Sequence, residues 1–125
     1  MNTPVLYLVF NRPELVKKTF PEIQKVKPHR LFIAADGPRN IQGEDILCNE
    51  VREIILNGID WECEVNTLFR EKNLGCKIAV SSAIDWFFQH VDKGIILEDD
   101  ILPSNLFFEF SSELLDKYTD DNRIM

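Results

Sequence analysis

The sequence predicts an α/β fold, a three-layer sandwich with a mainly parallel sheet, built by residues 1–125 as a single domain. Short apolar runs alternate with amphipathic helical patterns in the order βαβαβαβα, and turn residues separate them. A hydrophobic content of 45% is sufficient for a buried core. No internal repeat or low-complexity segment interrupts the alternation.

The first apolar run, residues 5–10, is continuous, which is typical of an inner strand that is buried on both faces. Asn11 is a good helix cap and Pro13 suits a first helical turn, so a helix is expected to follow. Apolar residues recur at helical spacing up to Ile23, and Pro21 is expected to kink or shorten this helix.

The second unit begins with an apolar run at residues 31–35, which stops at the turn signal Asp36-Gly37-Pro38. A helix ended by Asn57-Gly58 follows, and its apolar positions are Leu47, Val51, Ile54 and Ile55. Residues 62–69 then alternate in polarity with a period of two, which predicts a strand that is half-buried or near an edge.

The last units begin with a helical stripe over residues 80–91, which ends at Asp92-Lys93-Gly94. Residues 95–97 predict a fourth strand that runs directly into an acidic cluster. Pro103-Ser104-Asn105 opens a final helix whose apolar face carries Leu106, Phe107, Phe110 and Leu114.

The charge balance narrows the classes of partner. Lys and Arg number 14 against 21 Asp and Glu, a net charge of −7, which argues against nucleic acid as the main partner. An acidic protein binds a phosphorylated ligand readily when a divalent cation lies between the two.

The three cysteines, Cys48, Cys63 and Cys76, fit neither a disulfide framework nor a zinc site, because their number is odd and their spacing is wide. Reduced thiols are typical of a cytosolic protein. The apolar run near the N-terminus is too short for a signal peptide or a membrane span. We therefore expect a cytoplasmic protein, and a location peripheral to the membrane stays compatible with the full-length protein.

The cluster Glu98-Asp99-Asp100 is the sharpest chemical feature, because three adjacent carboxylates repel one another at the end of a buried strand. Mg²⁺ and Mn²⁺ prefer oxygen ligands and often combine one or two carboxylates with substrate phosphates. In an extended chain Glu98 and Asp100 point one way and Asp99 the other, so one carboxylate can hold metal while a neighbour binds hydroxyl groups. A solvated acidic turn is an equally good interpretation of these residues by themselves.

Other strand ends carry weaker signals. Asp36 could accept a hydrogen bond from a base or ribose, or could simply form its turn. Arg12 could pair with a phosphate or be a surface arginine. Gly75 and Lys77 begin a helix, where backbone N–H groups favour anions, but an ordinary loop also explains them. Dinucleotide and P-loop motifs are absent from the sequence.

Taken in order, these segments resemble the A-type fold glycosyltransferases, which have a Rossmann-like nucleotide-diphospho-sugar transferase fold. Within them the chain looks like the N-acetylglucosaminyltransferase I type and its bacterial relatives. The resemblance covers the chain from about Pro4 to Asp121. The segments that carry it are PVLYLVFNRP, LFIAADGPR, REKNLGCKIAVSSAIDWFF and GIILEDDILPSNLFFEF.

The resemblance implies a donor domain that binds a nucleotide-diphospho-sugar, with a UDP-sugar favoured, through Mn²⁺ or Mg²⁺. It implies that Asp100 coordinates the metal, that Asp36 contacts the base and that Lys77 lies near the diphosphate. The remaining implied binding residues line the nucleotide pocket or touch sugar and ribose hydroxyls: Phe10, Asn11, Arg12, Glu98 and Asp99. The acceptor, a glycan or a lipid-linked molecule, and the catalytic base are left open.

Enzymes of this type are about twice as long as this chain, and their second half supplies the acceptor pocket. We therefore expect a truncated, N-terminal donor-binding half that is inactive alone, with an uncovered face that is a candidate for self-association. Two other functions stay open at this point: a nucleotidyltransferase-like domain and a non-catalytic domain that binds a nucleotide or a partner.

Overall fold

The part of the chain that the structure describes forms an open sheet of four parallel strands with helices between them. The computed structural model describes residues 2–100. The elements in chain order are β1 (Val5–Val9), α1 (Pro13–Val26), β2 (Arg30–Ala35), α2 (Glu44–Gly58), β3 (Glu64–Phe69), α3 (Cys76–His90) and β4 (Ile95–Glu98). The strand order in the sheet is β3-β2-β1-β4. The predicted α/β class with a parallel sheet is confirmed; the predicted final helix lies outside the described residues.

Two apolar clusters cover the two faces of the sheet, which gives three layers. Alternate residues of β1 point to opposite faces, as a strand requires. Val5, Tyr7 and Val9 pack with α1 and α2, whereas Leu6 and Leu8 pack with α3. All five are at most 8% exposed, which confirms that β1 is an inner strand.

The helices correct three local expectations. Arg12, not Asn11, occupies the N-cap position of α1, and it makes no side-chain cap bond. Pro21 lies within α1, but the helix continues to Val26, so of the two expected effects, a kink or a shortening, the shortening is wrong. Leu47, which the apolar pattern assigned to the buried face of α2, is 40% exposed. Cys48 is buried instead.

The sheet brings the carboxyl ends of the strands to one edge. Leu8 is in register with Glu98, and Val9 with Ala35, which is in turn in register with Phe69. Strands β2 and β3 lie on one side of β1, and β4 lies on its other side. The carboxyl ends of β1 and β4 therefore flank a topological switch point, where ligands bind in open α/β sheets.

Candidate functional site

A cavity of about 550 Å³ lies beyond the carboxyl ends of the strands. Residues that follow each of the four strands line it, together with the loop before α3 and the first turns of that helix. Its size is in the range of small-ligand sites. The cavity therefore occupies the place where the sheet topology predicts a ligand.

Seven of the eight residues predicted for the site from the sequence line this cavity: Phe10, Asn11, Arg12, Asp36, Glu98, Asp99 and Asp100. Lys77 is not among the residues that line it. Lys77 is exposed in the first turn of α3, while its neighbour Cys76 lines the cavity. Successive side chains of a helix point about 100° apart around its axis, so Lys77 does not face the cavity that Cys76 lines.

Glu98, Asp99 and Asp100, here called the acidic side, form one wall of the cavity. Strand β4 ends at Glu98, and the next two residues are in a turn anchored by the Asp99 amide, which donates to the Leu8 carbonyl at 3.1 Å. The expected strand-like alternation of side chains therefore stops at Glu98. Within residues 2–100, no ion pair and no hydrogen bond from another side chain reaches these three carboxylates.

Asp99 is the least exposed carboxylate of the acidic side. Partial burial, and after it the nearby Asp100 carboxylate, raise the pKa of the Asp99 carboxyl to about 6, although the Arg12 guanidinium opposes the shift. Glu98 and Asp100 are exposed. The wall thus places three carboxylates that form no ion pair within residues 2–100 next to a space large enough for a ligand.

The donor chemistry of the acidic side fits a hard divalent cation, because all of its donors are carboxylate oxygens. Among residues 2–100 there is no ready-made group of three or more His, Cys, Asp or Glu side chains around a single metal position. A cation here would therefore take one or two carboxylates, of which Glu98 and Asp100 are exposed, and complete its shell with ligand oxygens and water.

The opposite wall, here called the loop side, comprises Asp36, Arg39, Arg70 and Asn73. The Asp36 side chain connects the loop that follows β2 with the loop that precedes α3. Its carboxylate accepts hydrogen bonds from the amides of Gly37 and Leu74, at 2.8 and 2.9 Å, and from the Asn73 side chain at 3.0 Å. A carboxylate has about four acceptor sites, so one remains for a ligand N–H.

The two loops also touch through their backbones. A Cβ atom on Gly37 would lie 2.5 Å from the Lys72 carbonyl carbon, which is closer than side chains tolerate. Asn73 strengthens the contact by donating to the Gly37 carbonyl at 2.9 Å. The loop that leads into α3 is thus fixed against the end of β2.

Arg39 is held by a buried carboxylate. Glu44, at the start of α2, is 4% exposed and accepts hydrogen bonds from the Arg39 side chain at 2.8 and 3.0 Å and from its amide at 2.7 Å. The Asn11 amide group also donates to Glu44, at 3.2 Å. Mainly through the Arg39 hydrogen bonds, the pKa of Glu44 falls to about 2. The guanidinium of Arg39 lies 5.8 Å from the centre of the Phe10 ring.

Arg70 is the arginine of the loop side that has no ion pair among the described residues. Its guanidinium donates to the Ser82 hydroxyl at 2.9 Å, and within residues 2–100 it forms no ion pair. Sequence reasoning missed both Arg39 and Arg70. For Arg70 a signal existed, because it follows β3 directly, just as Arg12 and Asp36 come after β1 and β2.

Comparisons of the chain with protein-family models, with curated proteins and with solved structures gave no match. The assignment of a function therefore depends on the cavity itself. Within residues 2–100, no helix has the length and apolar content needed to cross a membrane.

Proposed function

We propose that the chain is the donor-binding domain of a metal-dependent glycosyltransferase and that its cavity binds a nucleotide-diphospho-sugar. The observation that carries the proposal is that one cavity presents both carboxylates and a guanidinium that form no ion pair within residues 2–100. The carboxylates are those of the acidic side, and the guanidinium is that of Arg70 on the loop side, whereas Arg39 is paired with Glu44. A ligand with both phosphates and hydroxyl groups uses both walls.

The phosphates are the part of such a ligand that an acidic protein binds least readily. We place them between Arg70, whose charge is free of an ion pair, and Asp100, which would hold Mn²⁺ or Mg²⁺. The chemistry supplied by the cation is neutralisation of negative charge on the diphosphate. Lys77 stays a predicted phosphate contact, but Arg70 is the better placed of the two because it lines the cavity.

The nucleoside belongs on the loop side. Asp36 has one acceptor position left for a base N–H or a ribose hydroxyl, and Phe10 adds an aromatic surface to the cavity lining. Asn11 acts indirectly, since its amide group donates to Glu44 and so helps to hold Arg39. Glu98 and Asp99 remain for sugar or ribose hydroxyls.

Calorimetric titration of the chain with UDP, GDP and ATP, each with and without Mn²⁺, tests the proposal. We expect a nucleoside diphosphate, with UDP favoured, to bind only weakly unless Mn²⁺ is present. Preference for ATP over both diphosphates would support a nucleotidyltransferase-like domain instead. Absence of binding under all six conditions would overturn the proposal.

A further inference from the structure

We infer that Arg52 is a positioning residue of the site: its guanidinium joins the carboxyl ends of β2 and β3 and so fixes both Asp36 and Arg70. This inference rests on the proposed function for the identity of the ligand. Arg52 lies on α2 and does not line the cavity, so it acts through other residues. The role follows from where its hydrogen bonds go.

One nitrogen of the Arg52 guanidinium makes both connections. Its Nη2 atom donates to the Asp36 carbonyl at 3.1 Å and to the Arg70 carbonyl at 2.8 Å. Asp36 is the first residue after β2, and Arg70 is the first after β3. A single side chain therefore holds together the two backbone positions from which the loop side is built.

Packing alone does not explain an arginine at position 52. Its guanidinium lies 5.0 Å from the centre of the Phe69 ring, and its Nε atom is buried with no hydrogen-bond partner among the described residues. Within residues 2–100 it has no carboxylate partner either. An apolar side chain would pack on Phe69 without this desolvation cost, so the two carbonyl bonds are what the arginine adds.

Those two bonds act on the side chains that face the cavity. The Asp36 carboxylate holds the Leu74 amide, and the Arg70 amide donates to the Ala35 carbonyl at 3.0 Å. The loop between Arg70 and α3 therefore depends on the strand ends that Arg52 joins. Loss of Arg52 is expected to loosen this loop and, through it, the phosphate-binding position of Arg70.

The sheet offers a matched control at its opposite end. Arg30 lies 5.2 Å from the centre of the Phe32 ring and pairs with Glu64, so it also joins β2 to β3 beside an aromatic ring. It does so at the amino ends of these strands, and it does not line the cavity. Arg52→Met and Arg30→Met therefore each remove a guanidinium that links β2 to β3 beside an aromatic ring, one at the carboxyl ends of these strands and one at their amino ends.

The test measures amide hydrogen exchange and nucleotide affinity in both variants of the full chain. In Arg52→Met we expect exchange of the Arg70 and Leu74 amides to accelerate about tenfold or more, the scale of a lost hydrogen bond to a charged group. We expect UDP affinity with Mn²⁺ present to fall by a similar factor. Arg30→Met should change neither quantity.

Arg52→Lys is the second variant, for use if Arg52→Met does not fold; it keeps the charge but not the planar fork, and should show a smaller change in the same direction. Unchanged exchange at Arg70 and Leu74, or equal effects of the Arg52 and Arg30 substitutions, would overturn the inference. If the wild-type chain binds none of the nucleotides, the proposed function fails, while the exchange comparison still decides whether Arg52 orders the loop.

Discussion

The two walls of the cavity differ in how their polar groups are satisfied. On the loop side, Asp36, Arg39 and Asn73 are held by hydrogen bonds to neighbouring loops and helices. On the acidic side, Asp99 and Asp100 have no ion pair among the described residues, and burial leaves Asp99 with a pKa of about 6. One wall is preorganised by the protein, and the other keeps a charge that a cation would balance.

This difference separates two kinds of residue. Substitutions on the acidic side should change ligand binding and leave folding nearly intact, because no ion pair within residues 2–100 involves the carboxylates there. Substitutions on the loop side should change stability and binding together, since the same groups hold the loops and face the cavity.

The largest effect is expected from Asp100→Asn, which removes the charge and keeps the size of the side chain. We expect most of the Mn²⁺-dependent part of UDP binding to be lost, since the substitution removes a charged metal ligand. The free energy of unfolding should stay the same or rise slightly, because repulsion within the acidic side is relieved. Calorimetry and chemical denaturation measure the two quantities.

Asp92→Asn is the matched control for this prediction. Asp92 is exposed and precedes β4, at the strand end opposite the cavity. It should bind UDP like the wild type at every Mn²⁺ concentration. An equal loss of binding in both variants would attribute the effect to net charge and not to a metal ligand.

Asp36→Ala should give a mixed effect of intermediate size. It removes three hydrogen bonds within the protein, and we expect the free energy of unfolding to fall by about 1–3 kcal/mol. Nucleotide affinity should fall as well. Asn73→Ala loosens the same loop but removes no candidate base contact, so its effect on affinity should be smaller. Equal affinities for the two variants would limit Asp36 to a role in the turn.

The smallest effect concerns stability in acid. Because the pKa of Glu44 is lowered to about 2 in the folded chain, its ionised form contributes stability that is fully present above about pH 4.5. That contribution is lost as the pH falls from about 4.5 towards 2. In Glu44→Gln the stability should therefore fall less steeply over this interval than in the wild type.

Denaturant unfolding measured between pH 2 and pH 6 checks the slope. Glu53→Gln, an exposed position on the same helix, serves as the control and should keep the wild-type profile. Asp99 is unchanged in both variants, so its raised pKa does not enter the comparison. A Glu44→Gln profile parallel to that of the wild type would contradict the assigned ion pair with Arg39.

The sequence predicted the strands, the inner position of β1 and the polar residues at the ends of β1, β2 and β4 that line the cavity, because these depend on local patterns. Continuous apolar runs indicate parallel strands, and polar residues that directly follow such strands must meet at one edge of the sheet. Asp36 and the acidic side were found in this way. Predicting that these residues meet at one edge of the sheet required no knowledge of side-chain packing.

The pairings across the loop side were not predictable in this way. Glu44 has the sequence context of an ordinary acidic residue in a first helical turn, but the structure buries it under Arg39 and Asn11. Arg52 looks like a surface position on an amphipathic helix, yet it reaches the ends of two strands. Such contacts join residues that are distant in sequence, and only the relative placement of helix and sheet determines them.

The central claim is that UDP and a divalent cation bind this cavity together. The most direct measurement is the coupling between them, with the Kd of UDP determined with and without Mn²⁺ and the Kd of Mn²⁺ determined with and without UDP. Each ligand must change the affinity of the other by the same factor. We predict that this factor is about 10 or more and favourable, the scale of coupling between linked ligands. Equal UDP affinity with and without Mn²⁺ would contradict the account.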